Sequence, residues 1–287
     1  MGTSKNYENK MIDTMVLIRL YKENYQFPFC FCELSVYEML KNKTSEERKR
    51  QFRNIDNFVK SSKAIPYLSV NNNVFDNRNF DVRFKEVIQL CEKCSLTVAL
   101  SSLDFLSSIV ELLFIKKYKK ILNEDNKNFF ERICYTIVTV RQKIYEYNKS
   151  LLVDAFFNNN KKELNLFIIK MINIFIEKIN EFCDINRIDF KLEEIDNLNT
   201  NGIVVKNKIK FEEKDIDWFI EEIVTVEHNA EQTKKFFKAY LKRLLLTSGT
   251  FEVNDIVDMN ISFAALSNGL EFVSDESSIY STILNNI

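Results

Sequence analysis

The sequence predicts an α/β chain in which a small parallel sheet, built from the two terminal segments, is interrupted by a long, mostly α-helical insertion. Three observations predict this class. Only 4 glycines and 2 prolines serve 287 residues, too few for the tight turns of a sandwich or barrel, so long helices joined by short polar links are favoured. Short apolar, strand-like runs lie near both ends of the chain, each followed by a helical pattern. Strands separated by helices pair in parallel, which lets the termini share one sheet. At 46% hydrophobic and 28% charged the composition is that of a globular protein able to bury a substantial core.

From the N-terminus, "NKMIDT" (9–14) reads as a first strand closed by an acid, followed by the amphipathic run "MVLIRLYKEN". The aromatic segment "FPFCFC" (27–32) is a second strand candidate with Pro28 near its start. "ELSVYEMLKN" (33–42) places Leu34, Tyr37 and Leu40 at near-helical spacing. "TSEERKRQFRNIDNFVKSS" (44–62) is a charged helix for which Thr44 or Ser45 can be the N-cap. "KAIPYLSV" (63–70) is extended and "NNNVFDNRNF" (71–80) loop-like. Helical patterns cover about 82–120, 128–158 and 161–186. "NGIVVKNKIKF" (201–211) resembles a hairpin. "EEKDIDWFIEEIVTVEHNAEQTKKFFKAYLKRLLL" returns to helix. "NDIVDMNISFAAL" is a helix ending near Asn268–Gly269, "LEFVS" a strand, and "SSIYSTILNN" a last helix.

Several classes are disfavoured. A net charge of −1 supplies no global field toward nucleic acid or a membrane, so a polyanion site would have to be local. The longest apolar stretch, 95–115, contains Asp104, Glu111 and five serines, so it reads as a buried helix rather than a membrane span. With no basic-then-apolar leader, a soluble cytoplasmic protein is expected. Cys91 and Cys94 form a C-x-x-C without a second such pair for zinc and within a helical rather than strand pattern. The six cysteines are therefore expected to be ordinary thiols in a reducing compartment. Walker A, G-x-G-x-x-G, G-x-S-x-G and H-E-x-x-H sequences are missing. The single histidine, His228, reads as a surface residue.

The acids carry more. Asp13 closes the first strand, Glu38 lies one and a half turns into the helix after the second, and Asp275 follows the last strand. Asp255 and Asp258 are three apart on one helix, hence on neighbouring positions of its surface. Ligands of parallel sheets bind at the carboxyl ends of strands, where Asp13 and Asp275 fall. Hard divalent cations such as Mg²⁺ and Mn²⁺ take carboxylate oxygens and require neither histidine nor cysteine. A purely structural role is the competing reading. Asp13 and Asp255 can each cap a helix, and Asp258 can gain from a helix dipole.

In order, "MIDTMVLI", "CELSVYEML", "NDIVDMNISFAAL" and "LEFVSDES" resemble the motifs of the PIN-domain nucleases. The resemblance covers roughly residues 7–70 and 245–287. It implies a PIN-like core from 1–84 and 246–287 and a helical insertion over 85–245, far longer than a compact PIN domain contains. It implies that Asp13, Glu38 and Asp258 are the principal metal-binding acids, with Asp255 and Asp275 auxiliary and Ser274 supporting the end of the last strand. Glu276 competes with Asp275 for the last position, and Glu33 with Glu38 for the second. The implied activity is metal-dependent hydrolysis of RNA phosphodiester bonds with Mg²⁺ or Mn²⁺, cutting internally to leave a 5′-phosphate and a 3′-hydroxyl.

Basic runs at 41–53, 116–120 and 234–243 could meet such a substrate, although runs of this kind are commonly solvated helix faces. The rival expectation is a non-catalytic, largely helical interaction protein with a PIN-like core. A third joins the two: a toxin or antiphage effector whose inserted helices restrain it until a regulatory partner or a second copy of the chain acts.

Overall fold

The computed structural model describes residues 10–23, 28–62, 65–67, 74–118, 161–185, 187, 189, 191–198, 210–222, 230–246, 251 and 253–274. The helical pattern at 128–158, most of the hairpin-like 201–211, the last helix at 277–286, and residues Cys134, His228, Asp275 and Glu276 lie outside them.

Four short strands form one sheet: β1 (Lys10–Ile12), β2 (Cys30–Cys32), β3 (Ile65–Tyr67) and β4 (Glu271–Val273), in the order β3-β2-β1-β4. Every pairing is parallel, with Met11 opposite Cys30 on one side of β1 and Phe272 on the other. The terminal segments do build a common parallel sheet. As an interior strand, β1 has neighbours on both edges, and Met11 and Ile12 are fully buried. At its start Lys10 faces Glu271 across the strand pair, with Nζ 2.9 Å from the carboxylate.

Helix α1 (Thr14–Lys22) starts directly after β1, with Asp13 as its N-cap, and α2 (Glu33–Leu40) starts directly after β2. Six of the eight α2 residues are buried, because the helix packs on α1, α3 and α4 as well as under the sheet edge. Helix α3 (Ser45–Ser62) opens with a capping box. The Glu47 amide donates to Thr44 Oγ1, and the Thr44 amide and hydroxyl both donate to the Glu47 carboxylate. The sequence pattern T-x-x-E gives the physical reason the helix begins at this point.

The inner face of α3 carries Phe52, Ile55, Phe58 and Val59 at helical spacing. Phe58 packs edge-on to Tyr21 of α1 and stacks on Phe29, while Phe52 meets Phe75, Phe80 and Phe84. Each such ring contributes roughly 2–3 kcal/mol by leaving water. This cluster joins α1, α3 and β2 to the start of α4 (Phe80–Tyr118).

A buried ion pair lies under the cluster. Arg83 of α4 donates through Nη1 (2.6 Å) and Nη2 (2.9 Å) to the two oxygens of Asp56 in α3, and its guanidinium also reaches the carbonyls of Val74 and Arg78. Both side chains are 5% exposed. Such a bidentate pair tolerates burial because each partner is satisfied; removing one leaves the other charged and dry.

Helix α4 runs unbroken through 39 residues, so residues 84 and 85, the expected border of the helical insertion, lie inside one helix. It packs along α2 and also meets α5 (Lys161–Ile185), α6 (Glu213–Glu222) and α8 (Val253–Ser267). Two of its buried serines are accommodated by bonding backward, Ser102 to the Val98 carbonyl and Ser107 to that of Leu103. Cys91 and Cys94 lie buried on this helix as unpaired thiols, as the helical reading of C-x-x-C expected. Burial pushes the Cys91 thiol up to about 12 and that of Cys32, at the end of β2, to about 11, which keeps both protonated and inert at neutral pH. No helix among the described residues is long and apolar enough to cross a membrane.

Along α5, Asn173 and Asn180 each bond in both directions with a backbone residue of the following segment, Ile195 and Leu192 respectively. Helix α7 (Ala230–Leu246) packs on α6, and Phe105 of α4 contacts Phe237, Tyr240 and Phe251. Helix α8 ends in a Schellman motif. Gly269, at φ +66°, donates to the Leu266 carbonyl and Leu270 to that of Ala265. Glycine accepts this φ without the steric cost of a side chain, and the turn sends the chain into β4.

Replacing Asp56 by alanine is expected to destabilise the fold by about 3–5 kcal/mol, read from urea unfolding. The exposed pair between Lys49 and Asp81 serves as the control, and Asp81→Asn should leave the urea midpoint unchanged.

Candidate functional site

The strand order has a topological consequence. From β1 the chain moves through β2 to β3 on one side, whereas β4 adds to the other side. The connections therefore diverge from β1, and the crevice beyond the carboxyl ends of β1 and β4 is the position where open parallel sheets bind ligands.

Asp13 stands at that point. It is 4% exposed, its amide donates to the Val273 carbonyl of β4 at 3.0 Å, and its Oδ1 accepts the Val16 amide at 2.7 Å. The strand pairing and the helix cap together fix the carboxylate, and the positive end of the α1 dipole favours its charge. The cap reading is thus correct for Asp13. Ser274 is half-buried just past β4.

Thr14 brings in the second acid. Its hydroxyl donates to Glu38 Oε2 at 2.5 Å, drawing the α2 glutamate beside the residue that follows Asp13. Glu38 Oε1 accepts from Lys41 Nζ at 3.1 Å, and Lys41 also donates to Asn254 Oδ1 in the first turn of α8 at 3.3 Å. Glu33 belongs to the first turn of α2, more than one helical turn before Glu38.

Helix α8 separates the remaining two acids. Asp258 lies four residues after Asn254, on the same side of the helix, and is half-buried. Asn254 reaches the Lys41 and Glu38 pair, so Asp258 shares the side of α8 turned toward them. Asp255 is rotated about 100° from Asn254 and leaves that side. Its Oδ2 accepts the hydroxyl of Tyr240 on α7 at 2.8 Å, which ties α7 to α8. Because α8 begins at Val253, Asp255 sits inside its first turn and is not the N-cap.

Glu38 is therefore held to Thr14, the residue after Asp13, Asp258 lies on the side of α8 that carries Asn254, and Asp255 is turned to Tyr240. Asp275 is outside the described residues. Among the described residues no group of three or more His, Cys, Asp or Glu side chains could hold a metal ion. The donor chemistry nevertheless fits a hard divalent ion. Magnesium takes one or two carboxylates and keeps several waters, whereas calcium and zinc require fuller protein cages.

Thr14, Lys41, Asn254 and Tyr240 were not singled out from sequence. Spacing carried part of the signal, since Lys41 is i+3 from Glu38 and Asn254 is i−4 from Asp258. The contact between α2 and α8 could not be read from spacing.

Several cations of the basic runs have partners within the fold. Lys116 bonds Asp215 (2.5 Å) and the Lys210 carbonyl, while Lys238 and Lys242 bond Asp217 and Glu213 on α6. Arg48 donates to the Leu40 carbonyl and Arg53 lies over the Phe80 ring.

Fold and site thus define an α/β chain with a carboxylate recess at the switch point of a parallel sheet. No family model matches the chain, and no curated protein or solved structure matches it.

The cap and the chemistry of Asp13 can be separated by substitution. Asp13→Ala removes the acceptor of the Val16 amide and should cost about 1 kcal/mol of stability in denaturant unfolding. Asp13→Asn keeps an equally good cap and should unfold like the native chain.

Proposed function

We propose that the protein is a metal-dependent nuclease with a PIN-like core, acting on RNA phosphodiester bonds. The observation that supports this most is the meeting of Asp13 and Glu38 through Thr14 at the carboxyl end of β1. Two acids held side by side at a ligand-binding switch point repel each other, and a cation relieves that repulsion.

Asp13 and Glu38 would hold Mg²⁺ or Mn²⁺, with Asp258 as a further acid on α8. When bound, the ion supplies Lewis acidity and a water of lowered pKa. The chain's own residues do the positioning. Asp13 is immobilised by its cap and by the strand bond to Val273, and Thr14 orients the Glu38 carboxylate. Burial of the first carboxylate strengthens its interaction with any cation in the recess. The second reading, a non-catalytic interaction protein, draws support from Glu38, both of whose oxygens already have partners within the chain. The long helical region suits either, and as a restraint on a toxin or defence effector it would be relieved by a protein partner or a second copy.

A labelled structured RNA incubated with the purified chain tests the proposal. Cleavage is expected with Mn²⁺ or Mg²⁺ and not with EDTA, and should fall by on the order of a hundredfold or more in Asp13→Asn and in Glu38→Gln. Cleavage that persists in EDTA or in both variants would contradict it. Intact RNA together with no Mn²⁺ binding in calorimetry would favour the interaction protein.

A further inference from the structure

We infer that Lys41 is the resident cation of the carboxylate recess, holding Glu38 in the ion-free chain and competing with a divalent ion for the same carboxylate. This inference rests on the metal-dependent reading above and deepens it. The geometry is specific. Lys41 is the C-cap of α2, where the backbone leaves the helix at ψ 155° while its amide still donates to the Tyr37 carbonyl. A cation at this end is favoured by the helix dipole.

From that position Nζ lies between Glu38 Oε1 and Asn254 Oδ1, and 5.7 Å from the centroid of the buried Tyr37 ring. The Lys41 and Glu38 side chains are only 19% and 16% exposed, so solvent screens the pair less than an open surface pair. Asn254 offers a neutral oxygen, leaving Glu38 as the charged partner within hydrogen-bonding reach of the ammonium.

A divalent ion seeking Glu38 Oε1 meets an ammonium already on that oxygen and is also repelled by it. Glu38 Oε2, held by Thr14, keeps the carboxylate aimed at the recess during the exchange. Lys41 thereby sets the ion concentration at which the site loads, and α2 and α8 stay linked through Asn254 until the ammonium moves.

Calorimetric titration of the full chain with Mn²⁺ alone tests the competition. Lys41→Met should bind Mn²⁺ about tenfold more tightly than the native chain, and Lys41→Arg, which keeps the positive charge, should not. Asn254→Ala at an exposed position loosens the ammonium without touching Glu38, and should shift affinity the same way by less. It provides the readout if Lys41→Met fails to fold. A native chain that binds Mn²⁺ with Lys41→Met equal or weaker overturns the role of Lys41 alone. Absence of Mn²⁺ binding in every form overturns the metal-dependent reading and this inference with it.

Discussion

The double pairing of β1 is the constraint on which the rest depends. Three residues, bonded in parallel to β2 on one side and β4 on the other, join the start of the chain to the segment after α8 and place an interior strand at the point where the strand order reverses. The amide of Asp13 extends the β4 pairing by one residue through Val273, so the sheet itself sets the position of the carboxylate. If β4 failed to dock, the crevice would lose one wall and Asp13 would become an ordinary helix cap. The long excursion between β3 and β4 does not forbid this closure, because loop entropy grows only logarithmically with length.

Around that strand the helices have distinct tasks. The aromatic cluster and the Arg83–Asp56 pair fasten α3 and α4 to the sheet side. The length of α4 then provides a spine against which α2, α5, α6 and α8 pack. Helix α2 is held on several sides, which explains its nearly complete burial and the defined direction of Glu38. Tyr240 secures the first turn of α8 through Asp255, and the Gly269 turn returns the chain to β4. An acid expected among the metal-binding residues is thus used to orient the helix that carries another.

Local physics made most elements legible in the sequence. The first strand was visible because an apolar pair is followed by a capping aspartate, α3 because its polar start can cap, and the end of α8 because Asn268–Gly269 suits a left-handed turn. The parallel sheet of the two ends followed from alternating strand and helix patterns. Asp13 could be nominated because strand ends locate sites in such sheets, and Glu38 because its segment resembles a PIN-domain motif. The rest depended on which faces of separate helices meet. Asp255 and Asp258 lie only about 60° apart around their helix, and the difference between them acquires meaning only once Asn254 is seen at Lys41 and Tyr240 at Asp255. Neither the pairing of Asp56 with Arg83 nor the internal neutralisation of Lys238 and Lys242 by α6 is encoded in local spacing.

The central claim is that the recess at the carboxyl end of β1 binds a divalent ion through Asp13 and Glu38. The most direct measurement is anomalous X-ray diffraction from crystals grown with Mn²⁺. The account predicts a manganese peak within coordinating distance, about 2.0–2.3 Å, of an oxygen of each carboxylate, with Lys41 Nζ moved off Glu38. Well-ordered crystals with no peak there, Thr14 and Lys41 still on Glu38, and manganese elsewhere or nowhere would contradict it.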